Sequence, residues 1–373
     1  MRILLAPDKF RGSFSAAQIC DLLALGIRGT DVAVEVDRAP LADGGEGTLE
    51  AVLAAGGGER ARIRVTGPLG DPIDAEYGQM PDGCVVIESA LICGLEQLGL
   101  DRLDPLRATS HGLGMAIAAA LDSGHRRFVL GLGGTATVDG GAGMARALGY
   151  RILDDQGVDL ATTDRLALTA SIDGSGAHSG LSESDVTALC DVDCPLLGPV
   201  GAARLFGPQK GASPEVVERL EAGLAALSGA VIREKGITYG QMADRPGAGA
   251  AGGLGAGAAA FLGAGLRPGA AWLMEMVGFR RRLEACDLVV TGEGSLDRKT
   301  LHGKVVAAVL REAADCGRPA VIIAGRWDGT LPTRRPEWIQ VITRQWLGLS
   351  DGPLDGKHLR LIGESLPSFV TGS

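Results

Sequence analysis

Residues 126–150, RRFVLGLGGTATVDGGAGMARALGY, contain the pattern of a strand, a turn and a helix. RRFVL is typical of a short buried strand, and ARALGY is typical of a helix. The turn between them, GLGGTATVDGGAGM (131–144), has six glycines in fourteen residues. An ordered glycine loses more backbone entropy on folding than any other residue, so this turn must need bare backbone. Two explanations are open at this point, the binding of a phosphate group and tight packing.

The overall composition is that of a folded, acidic protein. The 373 residues are 46% hydrophobic and 22% charged, and the formal net charge is −9. A chain of this length can form two or three domains. Only 4% of the residues are aromatic. Few aromatic residues and a negative net charge together argue against a nucleic-acid partner.

Cysteine usage and hydropathy indicate where the protein resides. Seven cysteines are scattered along the chain without a C-x-x-C motif, and MRILLAPDKF (1–10) has too short an apolar run for a signal peptide. We therefore expect a cytoplasmic protein with reduced thiols. Residues 246–266 carry no charge and are long enough to cross a bilayer, but eight of these residues are glycine. We expect a buried glycine-rich turn leading into a helix there, and no membrane span.

Both ends of the chain alternate between strands and helices. RILLAPD (2–8) and VAVEVDRAP (32–40) predict strands, and the segments 15–28 and 48–55 have helical spacing. The same alternation returns near the C-terminus, with predicted strands at 287–294, 319–325 and 338–343 and a predicted helix at 303–315. This pattern is typical of a doubly wound parallel sheet of the Rossmann or flavodoxin type.

The middle of the chain follows a different pattern. Residues 61–89 alternate in polarity and turn at GPLGDP and PDG, which predicts antiparallel hairpins. We therefore predict an α/β protein with two domains. A discontinuous Rossmann-like domain is expected from residues 1–60 and 266–373, with a mixed α/β domain inserted at 61–265. The active site is expected in the cleft between them.

Known phosphate-binding motifs restrict what the glycine-rich turn can be. The Walker A string G-x-x-x-x-G-K-[ST] does not occur in the sequence. Residues 131–136 satisfy a loose dinucleotide fingerprint, and Asp154 follows about twenty residues later, but TVDGG (137–141) interrupts the required helix. A nicotinamide dehydrogenase is therefore a weak alternative. Bare amides, hydroxyls and a helix N-terminus suit a phosphate. The candidate phosphate-binding residues are Gly133, Gly134, Thr135 and Thr137.

Acidic residues accompany glycines in three turns. The turns are DGGEG (43–47), DGGAG (139–143) and TGEG (291–294), the last at the end of a predicted strand. Any one of them is more often a structural turn, because aspartate caps helices. Three in one chain favour a shared site, and carboxylates beside phosphate-binding amides favour Mg²⁺. The carboxylates concerned are Asp43, Glu46, Asp139 and Glu293.

Further chemical groups lie where strands are predicted to end. Asp8, Arg11 and Ser13 follow the first strand, where open α/β sheets bind ligands. Asp191 ends an apolar strand, either as a catalytic or metal-binding residue or as a turn cap, and Lys210 could neutralise phosphate charge. The five histidines show no metal-binding spacing and there is no G-x-S-x-G elbow, so zinc and serine hydrolases are disfavoured.

Taken together, these motifs resemble those of the bacterial glycerate kinases of the glycerate 2-kinase type. The resemblance implies transfer of the γ-phosphate of ATP to D-glycerate, with 2-phosphoglycerate as product, on a discontinuous Rossmann-like domain with an inserted α/β domain. The matching blocks occur in the family's order: APDKFRGSFSA (6–16), PLADGGEGT (40–48), ATSHGLG (108–114), GLGGTATVDGGAGM (131–144), CDVDCPLLGP (190–199), GPQKGA (207–212), GAAGGLGAG (249–257), LRPG (266–269) and DLVVTGEGSLDRKTLHGK (287–304).

The mechanism that we expect is direct in-line phosphoryl transfer, in which the protein positions groups and neutralises charge. The expected catalytic residues are Asp191, Asp43, Arg11 and Lys210. Those expected to bind the hydroxy acid are Asp8, Arg11, Ser13 and Asp43. Those expected to bind the nucleotide are Gly133, Gly134, Thr135, Thr137, Asp139, Glu293, Asp297 and Lys304. Mg²⁺ would be held by Asp43, Glu46 or Asp191, and which carboxylate acts as the base stays open.

Three positions depart from the family's pattern. Arg11 stands for the usual lysine, Val138 for the usual asparagine of the glycine-rich loop, and Ser295 for the arginine that commonly follows GEG. A kinase for a related hydroxy acid and a weakly active or metabolite-sensing paralogue therefore stay open as alternatives. A homodimer is also left open. The poorly matching C-terminal fifth is expected to close the edge of the sheet with its tryptophans Trp327, Trp338 and Trp346.

Overall fold

Two α/β units make up the protein. A computed structural model of the chain describes residues 1–296, 300, 305–329, 339–349 and 353–371. The first unit comprises residues 1–43, 50–56 and the described part of 269–373, and the second comprises residues 44–49 and 57–268. Parallel sheets and helices in both units confirm the predicted α/β fold class.

A wholly parallel sheet forms the centre of the first unit. Its described strands, numbered along the whole chain, are β1 (Arg2–Leu5), β2 (Glu35–Arg38), β11 (Leu288–Leu296), β12 (Ala320–Trp327) and β13 (Ile339–Ile342). Their order in the sheet is β13-β12-β11-β1-β2, which is the flavodoxin-like order 2-1-3-4-5. In such sheets ligands bind beyond the carboxyl ends of the two strands where the winding reverses, here β1 and β11.

Helices cover both faces of this sheet, so its central strands are apolar and buried. Among them, α1 begins with a capping box in which the Ser15 hydroxyl accepts from the Gln18 amide and the Gln18 side chain accepts from the Ser15 amide. The described helices of this unit are α1 (Ala16–Arg28), most of α2 (Thr48–Gly56), α10 (Gly269–Met276), α11 (Phe279–Glu284), α12 (Val305–Asp315), α13 (Gly356–Ser365) and α14 (Ser368–Thr371).

The crossing of α1 and α13 depends on a glycine. A methyl group at Gly26 would overlap the Arg360 carbonyl oxygen and lie 3.0 Å from the Glu364 amide nitrogen. We expect Gly26→Ala to lower the free energy of unfolding by about 1–3 kcal/mol through overpacking, measured by urea denaturation. Gly229→Ala is the matched control, because only the flexible end of Arg233 lies near it; it should stabilise by about 0.5–1 kcal/mol. Equal effects of both changes would contradict this packing argument.

A mixed sheet forms the centre of the second unit, in the order β10-β9-β6-β5-β4-β3. Its strands are β3 (Glu59–Thr66), β4 (Pro72–Gln79), β5 (Cys84–Glu88), β6 (Arg127–Gly131), β9 (Asp185–Leu189) and β10 (Gly265–Arg267). The pairs β3–β4 and β4–β5 are antiparallel, as predicted for residues 61–89, and the other pairs are parallel. Because Glu88, Gly131 and Leu189 are register partners, the three strands β5, β6 and β9 end at one edge of the sheet.

Helices and a small hairpin complete the second unit. The hairpin pairs β7 (Arg151–Leu153) with β8 (Ser171–Asp173), and the described helices are α3 (Ala90–Cys93), α4 (His111–Asp122), α5 (Ala142–Ala147), α6 (Ala202–Phe206), α7 (Pro214–Lys235), α8 (Tyr239–Met242) and α9 (Ala250–Leu262). The glycine-rich segment 246–266 contains the buried α9, whose first turn is interrupted by left-handed backbone at residues 251–253; the expected glycine-rich turn is thus part of this helix. Across the described residues, no helix combines the length and the apolar composition needed for a membrane crossing.

Some expected element boundaries were wrong. TGEG (291–294) lies inside β11, which continues to Leu296, rather than at the end of a strand. The strand expected at 32–40 is limited to Glu35–Arg38. In the C-terminal region Trp327 packs beside Leu296, Val306 and Ile322, Trp346 packs against Phe369 with ring centroids 6.0 Å apart, and Trp338 lies outside the described residues.

Candidate active site

The glycine-rich loop after β6 interlocks with the acidic turn at residues 43–47. The amide of Gly133 donates to the Gly44 carbonyl at 3.1 Å. A methyl group at Gly133 would overlap the Cα of Gly45, and one at Gly131 would lie 2.9 Å from the Gly44 oxygen. These two glycines are therefore required by packing. The Gly133 amide, which we expected to bind phosphate, already has a protein acceptor.

Other groups of the same loop have no protein partner. Within the described residues, the amides of Gly134, Thr135 and Thr137 have no hydrogen-bond acceptor. The Thr137 hydroxyl also lacks a partner there, although Thr137 is fully buried. Leaving a buried polar group unsatisfied costs about 1–3 kcal/mol, so a ligand that supplies the missing acceptor would be stabilised here. Three amides and one hydroxyl thus form a candidate cradle for an anion.

Lys210 brings a positive charge to this loop. It ends a 3-10 turn, Pro208–Lys210, and only 3% of its surface is exposed. Its Nζ donates to the Thr137 carbonyl at 2.7 Å and to the Thr135 hydroxyl at 3.3 Å, and no carboxylate of the described residues lies within ion-pair distance. Burial lowers the pKa of Lys210 to about 8. The ammonium is therefore held in a low-dielectric site that an anionic ligand would stabilise.

Thr135 connects Lys210 to a strained turn. The Thr135 hydroxyl accepts from Lys210 and donates to the Ala251 carbonyl at 3.3 Å. Ala251 has φ +54°, and it is the one non-glycine residue with positive φ in the described part of the chain. Gly252 and Gly253 continue the left-handed turn. For alanine this conformation costs about 1–2 kcal/mol, so the surrounding contacts must impose it.

Asp139 organises the loop from inside. One of its carboxylate oxygens accepts from the Ser110 amide at 2.8 Å, from the Ser110 hydroxyl at 2.7 Å and from the Gly143 amide at 3.1 Å; the other accepts from the Gly141 amide at 3.0 Å. The Ser110 hydroxyl in turn accepts from the Met144 amide. Asp139 is therefore engaged within the protein, and we assign it to holding the loop and the start of α5 rather than to the nucleotide.

Glu88 is a site residue that the sequence analysis missed. It ends β5 and is buried, and its two carboxylate oxygens accept from the amides of Gly47 and Leu49 at 3.1 and 3.0 Å. These contacts fix the acidic turn beside the glycine-rich loop. Glu46 lies next to this loop, since a methyl group at Gly134 would be 2.8 Å from Glu46 Oε1. The sequence signal for Glu88 was an acidic residue at the end of a strand, directly after the four apolar residues 84–87.

In the first unit, carboxylates gather where β1 and β11 end their pairing. Asp8 and Glu293 are buried, and the Asp8 amide donates to the Gly292 carbonyl at 2.9 Å. Burial, and then the nearby carboxylates of Asp43 and Glu293, raise the pKa of Asp8 to about 7. Lys9 opposes this shift, and its Nζ lies 3.7 Å from Asp43 Oδ1. The sheet thus brings together three of the residues predicted for the site.

Arg11 and Ser13 lie on an exposed turn that follows Asp8. The turn is closed by the pairing of Phe10 with Phe14 and has Gly12 at φ +73°. The Arg11 amide nitrogen is 3.4 Å from where a methyl group at Gly294 would stand. The turn therefore lies against β11. Both side chains are exposed on the turn beyond the carboxyl end of β1, and their contact with the hydroxy acid stays a prediction.

The raised pKa of Asp8 predicts how the free energy of unfolding depends on pH. Because folded Asp8 titrates near 7 instead of 3.8, the folded state holds more protons than the unfolded state between these values, and its stability falls as pH rises through this range. We expect Asp8→Asn to abolish this fall and to raise the free energy of unfolding above pH 7 by up to about 4 kcal/mol. Urea denaturation at both ends of the range measures it.

The exposed Asp31 provides the control for this prediction, since its side chain is in solvent whereas that of Asp8 is buried. Asp31→Asn should keep the wild-type pH dependence. A variant Asp8→Asn whose stability still falls between pH 3.8 and about 7 would show that another group is responsible.

The remaining features of the predicted site are three residues and two departures from the family pattern. Asp191 is half-buried and follows β9 by two residues, at the edge where Leu189 accepts from the Leu132 amide. Asp297 and Lys304 lie outside the described residues. Two departures from the family pattern have a place in the fold: Val138 is buried in the core of the second unit, and Ser295 is exposed opposite Arg326 on β12.

The described residues do not form a preassembled metal centre, because no three of their His, Cys, Asp or Glu side chains are grouped to hold an ion. This geometry does not conflict with the predicted Mg²⁺, which usually takes one or two carboxylates together with phosphate oxygens. Asp43, Glu46 and Asp191 therefore stay predicted ligands.

Comparison with known proteins identifies the family. Residues 3–344 match the profile of the Glycerate kinase family. The chain is 41% identical to glycerate kinase of Bacillus subtilis (strain 168) over 327 residues, which is 87% of this chain and 85% of the relative. It is 39% identical to glycerate 2-kinase of Escherichia coli (strain K12), again over 87% of this chain and 85% of the relative.

A solved structure agrees with these matches. The crystal structure of a protein assigned as glycerate kinase 2 from Salmonella typhimurium LT2 superposes with a TM-score of 0.83 and 37% identity, covering 100% of this chain and 98% of that one. The profile match spans most of the chain. The alignments with the two relatives cover 87% of this chain and 85% of each relative. The chain therefore belongs to the glycerate kinase family, and it is an enzyme of the kinase class with ATP as the implied phosphate donor.

Proposed function

We propose that this enzyme phosphorylates D-glycerate to 2-phosphoglycerate with ATP by direct in-line transfer. The observation that carries the proposal is the cradle in the second unit. Among the described residues its three amides and the Thr137 hydroxyl lack protein partners, and Lys210 lies beside them without a carboxylate. The names of the relatives support glycerate as the acceptor.

The cradle would bind phosphate oxygens of the nucleotide. Backbone amides and a hydroxyl donate to anionic oxygens without reorganising, and the Lys210 ammonium neutralises charge that develops on the transferred group. We assign this role to Gly134, Thr135, Thr137 and Lys210. The interlocked glycines and Asp139 hold the cradle in shape.

The first unit would bind the hydroxy acid. A guanidinium matches a carboxylate bidentately, so Arg11 is assigned to the glycerate carboxylate, with the Ser13 hydroxyl beside it on the same turn. Asp8 and Asp43 are assigned to the acceptor hydroxyl. A carboxylate whose pKa is raised to about 7 is well matched to accept a proton at neutral pH, which favours Asp8 as the base.

The donor set also fits Mg²⁺. Glu46 places a carboxylate beside amides that lack a protein acceptor within the described residues, and hard carboxylate oxygens are what this ion binds. Glu46 would hold it, with Asp43 and Asp191 as further candidates. When bound, Mg²⁺ supplies positive charge that offsets the negative charge of the phosphates.

A coupled assay of ADP release tests the proposal. Purified protein is given ATP with D-glycerate, L-glycerate or lactate, with and without Mg²⁺, and phosphorus NMR identifies the product. We expect Mg²⁺-dependent turnover of D-glycerate to 2-phosphoglycerate. Turnover of a different acid in place of D-glycerate would show that the proposed substrate is wrong. Formation of 3-phosphoglycerate would show that the proposed product is wrong. Glycerate binding in calorimetry without any ADP release would instead support a metabolite-sensing protein.

A further inference from the structure

The left-handed turn at Ala251–Gly253 is coupled to the candidate phosphate site through backbone contacts. Gly252 packs directly on the Thr137 peptide, since a methyl group at Gly252 would overlap the Thr137 carbonyl oxygen and lie 2.7 Å from the Val138 Cα. The Gly252 carbonyl accepts from the Gly140 amide at 3.1 Å. The turn therefore contacts the glycine-rich loop on both sides of Val138.

The same turn reaches Lys210 through two acceptors. The Thr137 carbonyl, on which Gly252 packs, accepts from Lys210 Nζ at 2.7 Å. The Thr135 hydroxyl, which also accepts from Lys210, is oriented by donating to the Ala251 carbonyl at 3.3 Å. Both hydrogen-bond acceptors of the ammonium within the described residues thus depend on residues 251–253.

We propose that the turn Ala251–Gly253 is a positioning element that orients the two acceptors of Lys210 and thereby aims its ammonium at the bound phosphate. A strained backbone conformation at a residue such as alanine persists only where the surrounding structure imposes it. Such residues cluster at functional sites. The inference rests on the assignment of Lys210 to phosphate binding, but it does not require glycerate to be the acceptor.

The charge on Lys210 gives the inference a specific readout. The titratable groups that face Lys210 are Cys93, Asp139 and Cys194. Burial raises the pKa of the two thiols to about 12 and about 11, so neither changes charge where Lys210 does, near 8. A hydrogen-bond acceptor favours the charged amine, and its displacement therefore lowers the pKa of Lys210.

The test is ATP binding by the full chain, measured by calorimetry as a function of pH. In Gly252→Ala we expect affinity to fall about tenfold and the alkaline midpoint of binding to move to lower pH. The matched control is Gly263→Ala in the same segment, which has a similar φ of +67° but nothing within 4 Å of the added methyl group. It should share the backbone strain and keep both the wild-type affinity and the wild-type midpoint.

Thr135→Val and Thr135→Ser keep the inference testable if Gly252→Ala does not fold. Valine removes the hydroxyl between Ala251 and Lys210 and should shift the alkaline midpoint downward, while serine retains the hydroxyl and should restore it. An unchanged midpoint in both Gly252→Ala and Thr135→Val would overturn the inference, even if stability fell. If the wild type binds ATP but does not phosphorylate glycerate, the proposed acceptor fails and this test still decides the role of the turn.

Discussion

Lys210→Met should lower kcat/KM for ATP by roughly 10²–10³-fold while leaving the free energy of unfolding within about 2 kcal/mol of the wild type. The activity falls because methionine fills a similar volume without the charge that faces the cradle. Stability is retained because two effects oppose each other. Lowering the pKa of the buried amine from 10.5 to about 8 corresponds to about 3 kcal/mol of destabilisation, which offsets the hydrogen bonds lost to Thr135 and Thr137.

The pH dependence of stability separates this explanation from general damage to the fold. In the wild type, folded Lys210 loses its proton near pH 8, whereas the unfolded chain keeps it up to about 10.5. The unfolded state thus binds more protons between these values, and the contribution of Lys210 to stability rises with pH. Urea denaturation across this interval should show that rise in the wild type and its loss in Lys210→Met.

An exposed lysine of the same unit serves as the control for the loss of activity. Lys235 lies at the end of α7, with its Nζ 5.7 Å from the centre of the Tyr150 ring. Lys235→Met should keep the wild-type kcat/KM. If Lys210→Met kept it as well, the assignment of Lys210 to the phosphate site would be wrong. If Lys210→Met instead lost activity only in proportion to the fraction of unfolded protein, Lys210 would have a structural role.

The grouping of the candidate residues within each unit was predictable from sequence because their motifs lie at buried strands. In each sheet the carboxyl ends of neighbouring parallel strands meet at one edge, so ligand-binding residues were expected after β1 in the first unit and after β6 and β9 in the second. In the first sheet Asp8, just beyond β1, lies near Glu293 at the point where the winding reverses, although Glu293 lies within β11 and not after it. Local sequence was sufficient because these positions depend on neighbouring strands alone.

The roles of individual loop groups were not predictable in the same way. DGGEG (43–47) and DGGAG (139–143) look alike in sequence, yet Asp139 turns inward to Ser110 while Asp43 faces Lys9. Likewise, the Gly133 amide is used by Gly44, whereas the next amide is open within the described residues. Contacts between distant segments decide each of these outcomes, and no spacing rule within a single segment contains them.

Val138 shows how a departure from the family pattern acquires a physical meaning. Its side chain is buried in the core of the second unit, beside residues such as Leu224 and Leu227. The Val138 side chain therefore packs in the apolar core behind the loop, while the open amides of Gly134, Thr135 and Thr137 belong to the backbone.

Asp139→Ala should lower the free energy of unfolding by about 4 kcal/mol or more and abolish activity with it. The change leaves four donors without their acceptor, namely the Ser110 amide and hydroxyl and the amides of Gly141 and Gly143. A hydrogen bond to a charged group contributes about 1.5–3 kcal/mol, and Asp139 is only 1% exposed, so bulk water does not reach these donors. Urea denaturation measures the loss.

A variant of a second aspartate, Asp154, separates the effect of burial from the effect of losing hydrogen bonds within a turn. Asp154 also accepts two turn amides, from Gln156 and Val158 at 3.0 and 2.8 Å, and both donors belong to exposed residues of the second unit. Water can satisfy those amides, so Asp154→Ala should cost no more than about 1 kcal/mol. Asp139→Asn should fall between the two alanine variants, because it keeps one acceptor oxygen and turns an amide NH₂ toward backbone donors. A loss below about 1 kcal/mol in Asp139→Ala would mean that the loop is held mainly by the packing of its glycines.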